Sequence, residues 1–251
     1  MHLPYDNFLQ YLDKNPLLSI KDARNPFDAF EEQLRSLFAQ DPTNCLIQDN
    51  LTNLIDLYNS KNPEVRYRDA YYIDNPQQIV FPLQNHKPAG ELAIVPSLRN
   101  FGDNFNIFTD HAFTNWGKAE WSNIVVAGSA VSKCLEPIPD AVKHLGGNVI
   151  RQYYLESPGT PSDIDIFMYG ISDQNIAVSR IVDIVSRLNR VGTTVSIRTL
   201  NCVTVVAPHP QRYIQIVFRL YRTLSEIVTG CDLDCCCLAY DRSRVFASPR
   251  A

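Results

Sequence analysis

One segment combines residue type and spacing suited to metal chemistry: Asp163-Ile164-Asp165-Ile166. Successive side chains of an extended strand alternate faces, so both carboxylates fall on one face and both isoleucines on the other. Two aligned carboxylates are hard oxygen donors of the kind that hold Mg²⁺ or Mn²⁺. A pair of such ions about 3.5–4 Å apart would clamp the attacking and leaving oxygens of a phosphoryl displacement. Upstream, the apolar run 123–128 leads into Gly128-Ser129. Glycine lets the backbone approach a phosphate, a helix starting there would aim free N–H groups at it, and the Ser129 hydroxyl adds a donor. The competing reading is structural: Asp at the start of a strand often caps a turn, and Ser-Pro-Gly-Thr-Pro-Ser at 157–162 is a turn-rich lead-in.

A phosphate site also needs cations. Lys133, on the expected helix after Gly-Ser, Arg198 and Arg219 are the ones near expected sheet positions, and each also reads as an ordinary surface charge. His86, His111, His144 and His209 have no second ligand at helical or strand spacing. Trp116 and Trp121 flank the first strand of the domain and read as packing residues. Of seven cysteines, four cluster as Cys231, Cys235, Cys236 and Cys237, with no CxxC pair. Three successive cysteines on a strand alternate faces and cannot converge on one metal, so they read as small buried hydrophobes.

The elements that position these residues can be read from periodicity. Residues 27–40 place Phe27, Phe30, Leu34 and Phe38 on one helical face, and 46–60 repeat the pattern with Leu46, Leu51, Leu54, Ile55 and Leu57. From 61 to 110 the chain is rich in Asn, Asp, Pro and aromatics and reads as an irregular, packed connector, with Pro82 arguing against a central strand in the run QIVFPL. Strands are expected at 123–128, 163–170, 193–200, 203–207, 213–221 and 234–240. A helix is expected over 173–192, stopped by Gly192, and another at 225–230. The implied class is α+β or α/β: a mixed sheet with packed helices at 111–251, preceded by a helical and irregular N-terminal region at 1–110.

Apolar strand, Ala127-Gly128-Ser129 and the later Asp163-Ile164-Asp165-Ile166 resemble the signature of the nucleotidyltransferase superfamily. That superfamily includes poly(A) polymerases, CCA-adding enzymes, DNA polymerase beta and the cyclic-dinucleotide synthases. Segments 101–108, 121–129, 161–170 and 212–240 are also similar to an uncharacterised family associated with fungal ankyrin-repeat proteins. The superfamily resemblance implies that Gly128 and Ser129 hold a nucleoside triphosphate while Asp163 and Asp165 bind Mg²⁺ or Mn²⁺. A substrate hydroxyl would then attack the α-phosphate in line and pyrophosphate would leave, the acceptor being unspecified. It also implies a third carboxylate from a nearby strand. The chain departs from that pattern, because YIQIVFR carries Gln215 where simpler members carry an acid, and Gln cannot act as a base. Asp232 and Asp234 form a second DxD, with Asp234 the preferred third ligand. The interval from Ser129 to Asp163 is longer than the family's usual gap and reads as an inserted loop holding Pro137, Pro139 and Gly146-Gly147.

The 251 residues carry 45% apolar side chains, enough for a real core, and a net charge of -4, which argues against wrapping nucleic acid by charge alone. The first residues lack a secretory h-region and no 18-residue apolar run occurs, so the expectation is an intracellular protein, cytoplasmic or nuclear, with no membrane partner. The last residues carry no helical pattern, which fits either a piece of a longer protein or a reduced descendant of one. Three functions remain open: a metal-dependent nucleotidyltransferase, a catalytically degenerate module of that shape acting as a binding or scaffold protein, and an unrelated α/β domain whose DxD pairs cap turns. The N-terminal helices would serve as a lid, a substrate platform or a surface for a protein partner.

Overall fold

The computed structural model describes residues 5–68, 87–156, 163–189 and 194–251. Its elements run α1 (Phe8–Lys14), α2 (Ile20–Gln40), β1 (Ile55–Asp56), α3 (Leu98–Phe108), β2 (Ile124–Ala127), α4 (Ser129–Leu135), α5 (Asp140–Lys143), α6 (Gly147–Glu156), β3 (Ile164–Tyr169), α7 (Gln174–Leu188), β4 (Val195–Arg198), β5 (Cys202–Val206), β6 (Ile214–Tyr221), α8 (Leu224–Thr229), β7 (Leu238–Tyr240) and β8 (Val245–Ala247). Among the described residues eight strands form one mixed sheet in the order β1-β8-β7-β2-β3-β6-β5-β4. β3 and β6 run parallel and the other neighbouring pairs antiparallel.

Strand alternation divides the apolar side chains between two cores. Ile124, Val126, Ile164, Ile166, Met168, Val203, Val205, Ile214 and Ile216 face α3, α4, α6 and α7, forming the main core with Phe101, Phe105 and Phe108. Val125, Ala127, Ala239 and Phe246 point the other way, against Leu224, Ile227 and Val228 of α8. Phe8, Phe27 and Ile55 make a third cluster that seats the N-terminal helices. Trp116 and Trp121 are buried, their rings meeting Phe113 and, for Trp121, Tyr240.

Several elements depart from the sequence expectation. Residues 46–60 are not a helix. A 3-10 turn at Cys45–Ile47 is followed by turns and by β1, because Asn44 and Asp49 side chains accept from Leu46 and Leu51 N–H groups and Asn53 takes φ 61°. The expected connector at 61–110 ends in α3, capped by the Ser97 hydroxyl accepting from Asn100 N–H. The expected loop between Ser129 and Asp163 is largely helical, with α5 and α6 separated by Gly146 at φ +92°. Residues 234–236 form a 3-10 turn and only Leu238–Tyr240 is strand. After β7, the Asp241 carboxylate accepts from Ser243 and Arg244 N–H groups in a turn that returns the chain as β8. β1 pairs with β8, and α3 lies in the main core, so residues before 110 complete the same sheet and core. Helix α7 ends at Leu188; Gly192, the run QIVFPL and the lead-in at 157–162 lie outside the described residues.

Candidate functional site

β2 delivers the chain to Gly128, which adopts φ +87° and ψ −147°, a backbone conformation that L side chains rarely take. Its N–H donates to Leu238 O at 3.0 Å, and its carbonyl accepts from Val131 and Ser132 as α4 begins. A Cβ placed at Gly128 would meet no atom within 4 Å, so the turn is open on that side. In the adjacent strand Ala127 stands opposite Asp165, and on the other side of β3 Asp165 stands opposite Gln215 of β6. Asp163, two residues before Asp165, precedes β3 on the same face by alternation. Gln215 Nε2 donates to Asp163 Oδ2, and Cys202 Sγ lies 3.8 Å from Gln215 Oε1.

Like charge and burial meet in this pair. Burial pushes the Asp165 carboxyl up to about 6, and the Asp163 charge adds to it. Among the described residues no Lys or Arg forms an ion pair with either carboxylate. The site is therefore an anionic, partly desolvated pair beside an open glycine turn. Its two carboxylates are hard oxygen donors, the kind that could hold a divalent cation.

The other expected residues are placed elsewhere. Asp234 does not complete a three-carboxylate cluster: its oxygens lie 3.1 Å from Arg24 Nη1 and 3.3 Å from Arg250 Nη1. Among the described residues, no group of three His, Cys, Asp or Glu side chains is arranged to hold a metal. The neighbouring Cys236 thiol is pushed up to about 11 by burial first and by Cys235 next, with smaller contributions from Cys237 and the Asp165 charge. Asp232 is exposed in the preceding bend. Lys133 is paired with Glu136 at 2.8 Å. Arg219 pairs with Glu226 at 3.1 Å and lies over the Tyr221 ring. Arg198 is in register with Val203 and Ile216, on the face opposite Asp165, with its guanidinium 5.8 Å from the Phe218 ring centroid. Sequence reading missed Thr204 and Cys202. Thr204 is the cross-strand neighbour of Gln215, visible only once β5 is known to pair with β6. The seven cysteines are free thiols, Cys134 and Cys237 buried and Cys45 and Cys235 exposed, so the expectation of small buried hydrophobes holds for only part of the set.

Comparison with known proteins adds a family. The model described as Gad2, Gabija anti-defense 2 family protein, matches residues 99–251, from α3 through β8. A curated relative, the uncharacterized protein R883 of Acanthamoeba polyphaga mimivirus, is 27% identical over 170 residues; the match covers 61% of this chain and 32% of R883. The chain thus spans about a third of that relative's length. No solved structure matches, and among the described residues no helix is long and apolar enough to cross a membrane.

Proposed function

Since the chain belongs to the Gabija anti-defense 2 family, we propose that it works within an anti-defense role as a nucleotide-binding module of nucleotidyltransferase type. It holds a nucleoside triphosphate with Mg²⁺ or Mn²⁺ and has lost most or all transfer activity. The observation that carries this reading is Gln215, in register with Asp165 and donating to Asp163 at the strand position where a third carboxylate would belong. Asp163 and Asp165 hold the cation, the phosphates lie at the open Gly128 turn with the Ser129 hydroxyl as donor, and Gln215 fixes the Asp163 carboxylate. When bound, the cation neutralises phosphate charge that this anionic pair would otherwise repel. An amide in place of an acid supports binding without proton abstraction. A module that retains a nucleotide without consuming it can act by sequestration, and sequestration is the activity we propose for this chain.

One observation favours a second reading, metal-dependent nucleotidyl transfer to a hydroxyl acceptor. Asp165 stands in register with Ala127, one residue before the Gly128 turn, and with Asp163 forms the paired-carboxylate arrangement that such transfer uses. Calorimetric titration of ATP and GTP with Mg²⁺ or Mn²⁺ into the wild type and into Asp163→Ala/Asp165→Ala tests both readings. The expected result is cation-dependent binding to the wild type, lost in the folded double variant, with no pyrophosphate released from the bound triphosphate. Release of pyrophosphate by wild type and not by Asp165→Ala would move the conclusion to transfer. Absence of binding to folded wild type would overturn both.

A further inference from the structure

Helix α7 carries a wider apolar stripe than the rest of the molecule covers. Ala177, Ile184 and Leu188 are buried, whereas Val178 and Val182 on the neighbouring strip of the helix are 59% and 57% exposed. With Ile181 and Val185 these valines follow the i, i+3, i+4, i+7 spacing of one continuous helical face. The sheet falls short beneath that face. β5 begins at Cys202, opposite Val217, so β6 runs on through Phe218 and Leu220 without a β5 neighbour. Those two side chains and the α7 face enclose a groove of about 850 Å³, a volume within the range of about 300–1,000 Å³ that small-molecule sites occupy.

One charge enters this apolar surface. Arg198 of β4 lines the groove, with its guanidinium 5.8 Å from the Phe218 ring centroid. Among the described residues it forms no ion pair. The other polar lining residues, Gln174 and Ser186, are uncharged. We propose that the groove binds a single-chain fatty acid, its carboxylate held by Arg198 and its acyl chain laid along α7.

Shape and charge each narrow the ligand. From Gln174 to Ser186 the groove follows the helix for about 18 Å at about 1.5 Å per residue, a length that suits an extended acyl chain better than a compact ring. Its walls are mainly branched aliphatic side chains, which offer apolar contact without hydrogen-bond partners for a polar body. A lone guanidinium matches a carboxylate, whose two oxygens its fork takes together. A phosphate monoester would bring further negative charge with no second cation in the groove to meet it. Each methylene taken out of water strengthens binding by roughly fourfold, so the tail supplies affinity while Arg198 selects the head and sets its direction.

Calorimetric titration of sub-micellar dodecanoate into the full chain should show saturable binding of one molecule per chain, with decanoate weaker by roughly tenfold. Dodecanol keeps the tail without the charge and should bind about tenfold more weakly than dodecanoate, as should dodecanoate to Arg198→Gln. The same variant should bind dodecanol as wild type does. Val182→Glu, at an exposed position, should abolish binding of both ligands; Val195→Glu, exposed on the opposite face of β4, should leave both unchanged. Absence of saturable binding to folded wild type would overturn the proposal. So would wild-type affinity for dodecanoate in Val182→Glu or in Arg198→Gln. Self-association of wild type that is lost in Val182→Glu, without dodecanoate binding, would also overturn it and give the groove to a second copy.

Discussion

Asp165 carries two opposed demands, ionisation to hold a cation and burial beside Asp163, which disfavours that ionisation. Its folded carboxyl titrates near 6, above the roughly 3.9 of an unfolded aspartate. The unfolded chain therefore ionises first, and this residue subtracts stability as pH rises from about 4 to about 6, the loss staying in full above that window. Asp165→Asn should raise the thermal midpoint by a few degrees at about pH 7.5, with the gain gone near pH 4. Differential scanning calorimetry checks it. Millimolar Mn²⁺ should raise the midpoint of the wild type and leave the variant unmoved. The carboxylate pair was legible in the sequence because strand alternation is a local rule. Gln215 was expected beside the pair only through the superfamily resemblance, since β6 lying parallel beside β3 is a long-range fact that no local pattern carries. The surroundings of Asp234 were not legible for a related reason: the run from 234 reads as strand, yet Asp234–Cys236 folds as a 3-10 turn whose Asp234 is held by Arg24 and Arg250.

At the level of elements, the turn from β2 into α4 depends on Gly128. Since a Cβ there would meet nothing within 4 Å, Gly128→Ala should lose about 1–3 kcal/mol from backbone strain alone, read as a lower urea midpoint with an unchanged m-value. A much smaller loss would mean that the turn relaxes. The strands of the second half were legible because their apolar runs have length and bounding turns of their own. Helix α3 was also present in the spacing Leu98, Phe101, Phe105, Phe108, but Asn and Asp between these residues gave it the look of a loop. The reverse error fell on 46–60, where helical spacing is overridden by Asn and Asp side chains that bond neighbouring N–H groups.

Across the whole molecule, α2 is fastened to the C-terminal segment through a buried ion pair, Glu31 Oε1 to Arg250 Nε at 2.9 Å. Arg250 also donates to Cys231 O at 2.5 Å and pairs with Asp234. Burial raises the Glu31 carboxyl, with Arg250 and then Arg35 pulling it back down. Arg250→Ala should therefore destabilise by about 3 kcal/mol. A glutamate raised further in the variant loses stability as pH rises through its folded value, so the loss should be larger near pH 8 than near pH 5. Chemical denaturation at both pH values measures it, and an equal loss would assign the effect to packing instead of charge. This junction was not legible, because it joins residues more than two hundred positions apart.

The pairing of Ile55 with Ala247 sets an order of events during synthesis. Loop closure of this length is entropically expensive and slow, and it cannot begin until the ribosome has made the residues up to Ala247. At about 5–20 residues per second, β1 waits on the order of ten seconds or more for its partner. Throughout that interval the nascent protein displays an unmatched strand, which makes the segment around β1 dependent on whatever shields emerging chains from one another.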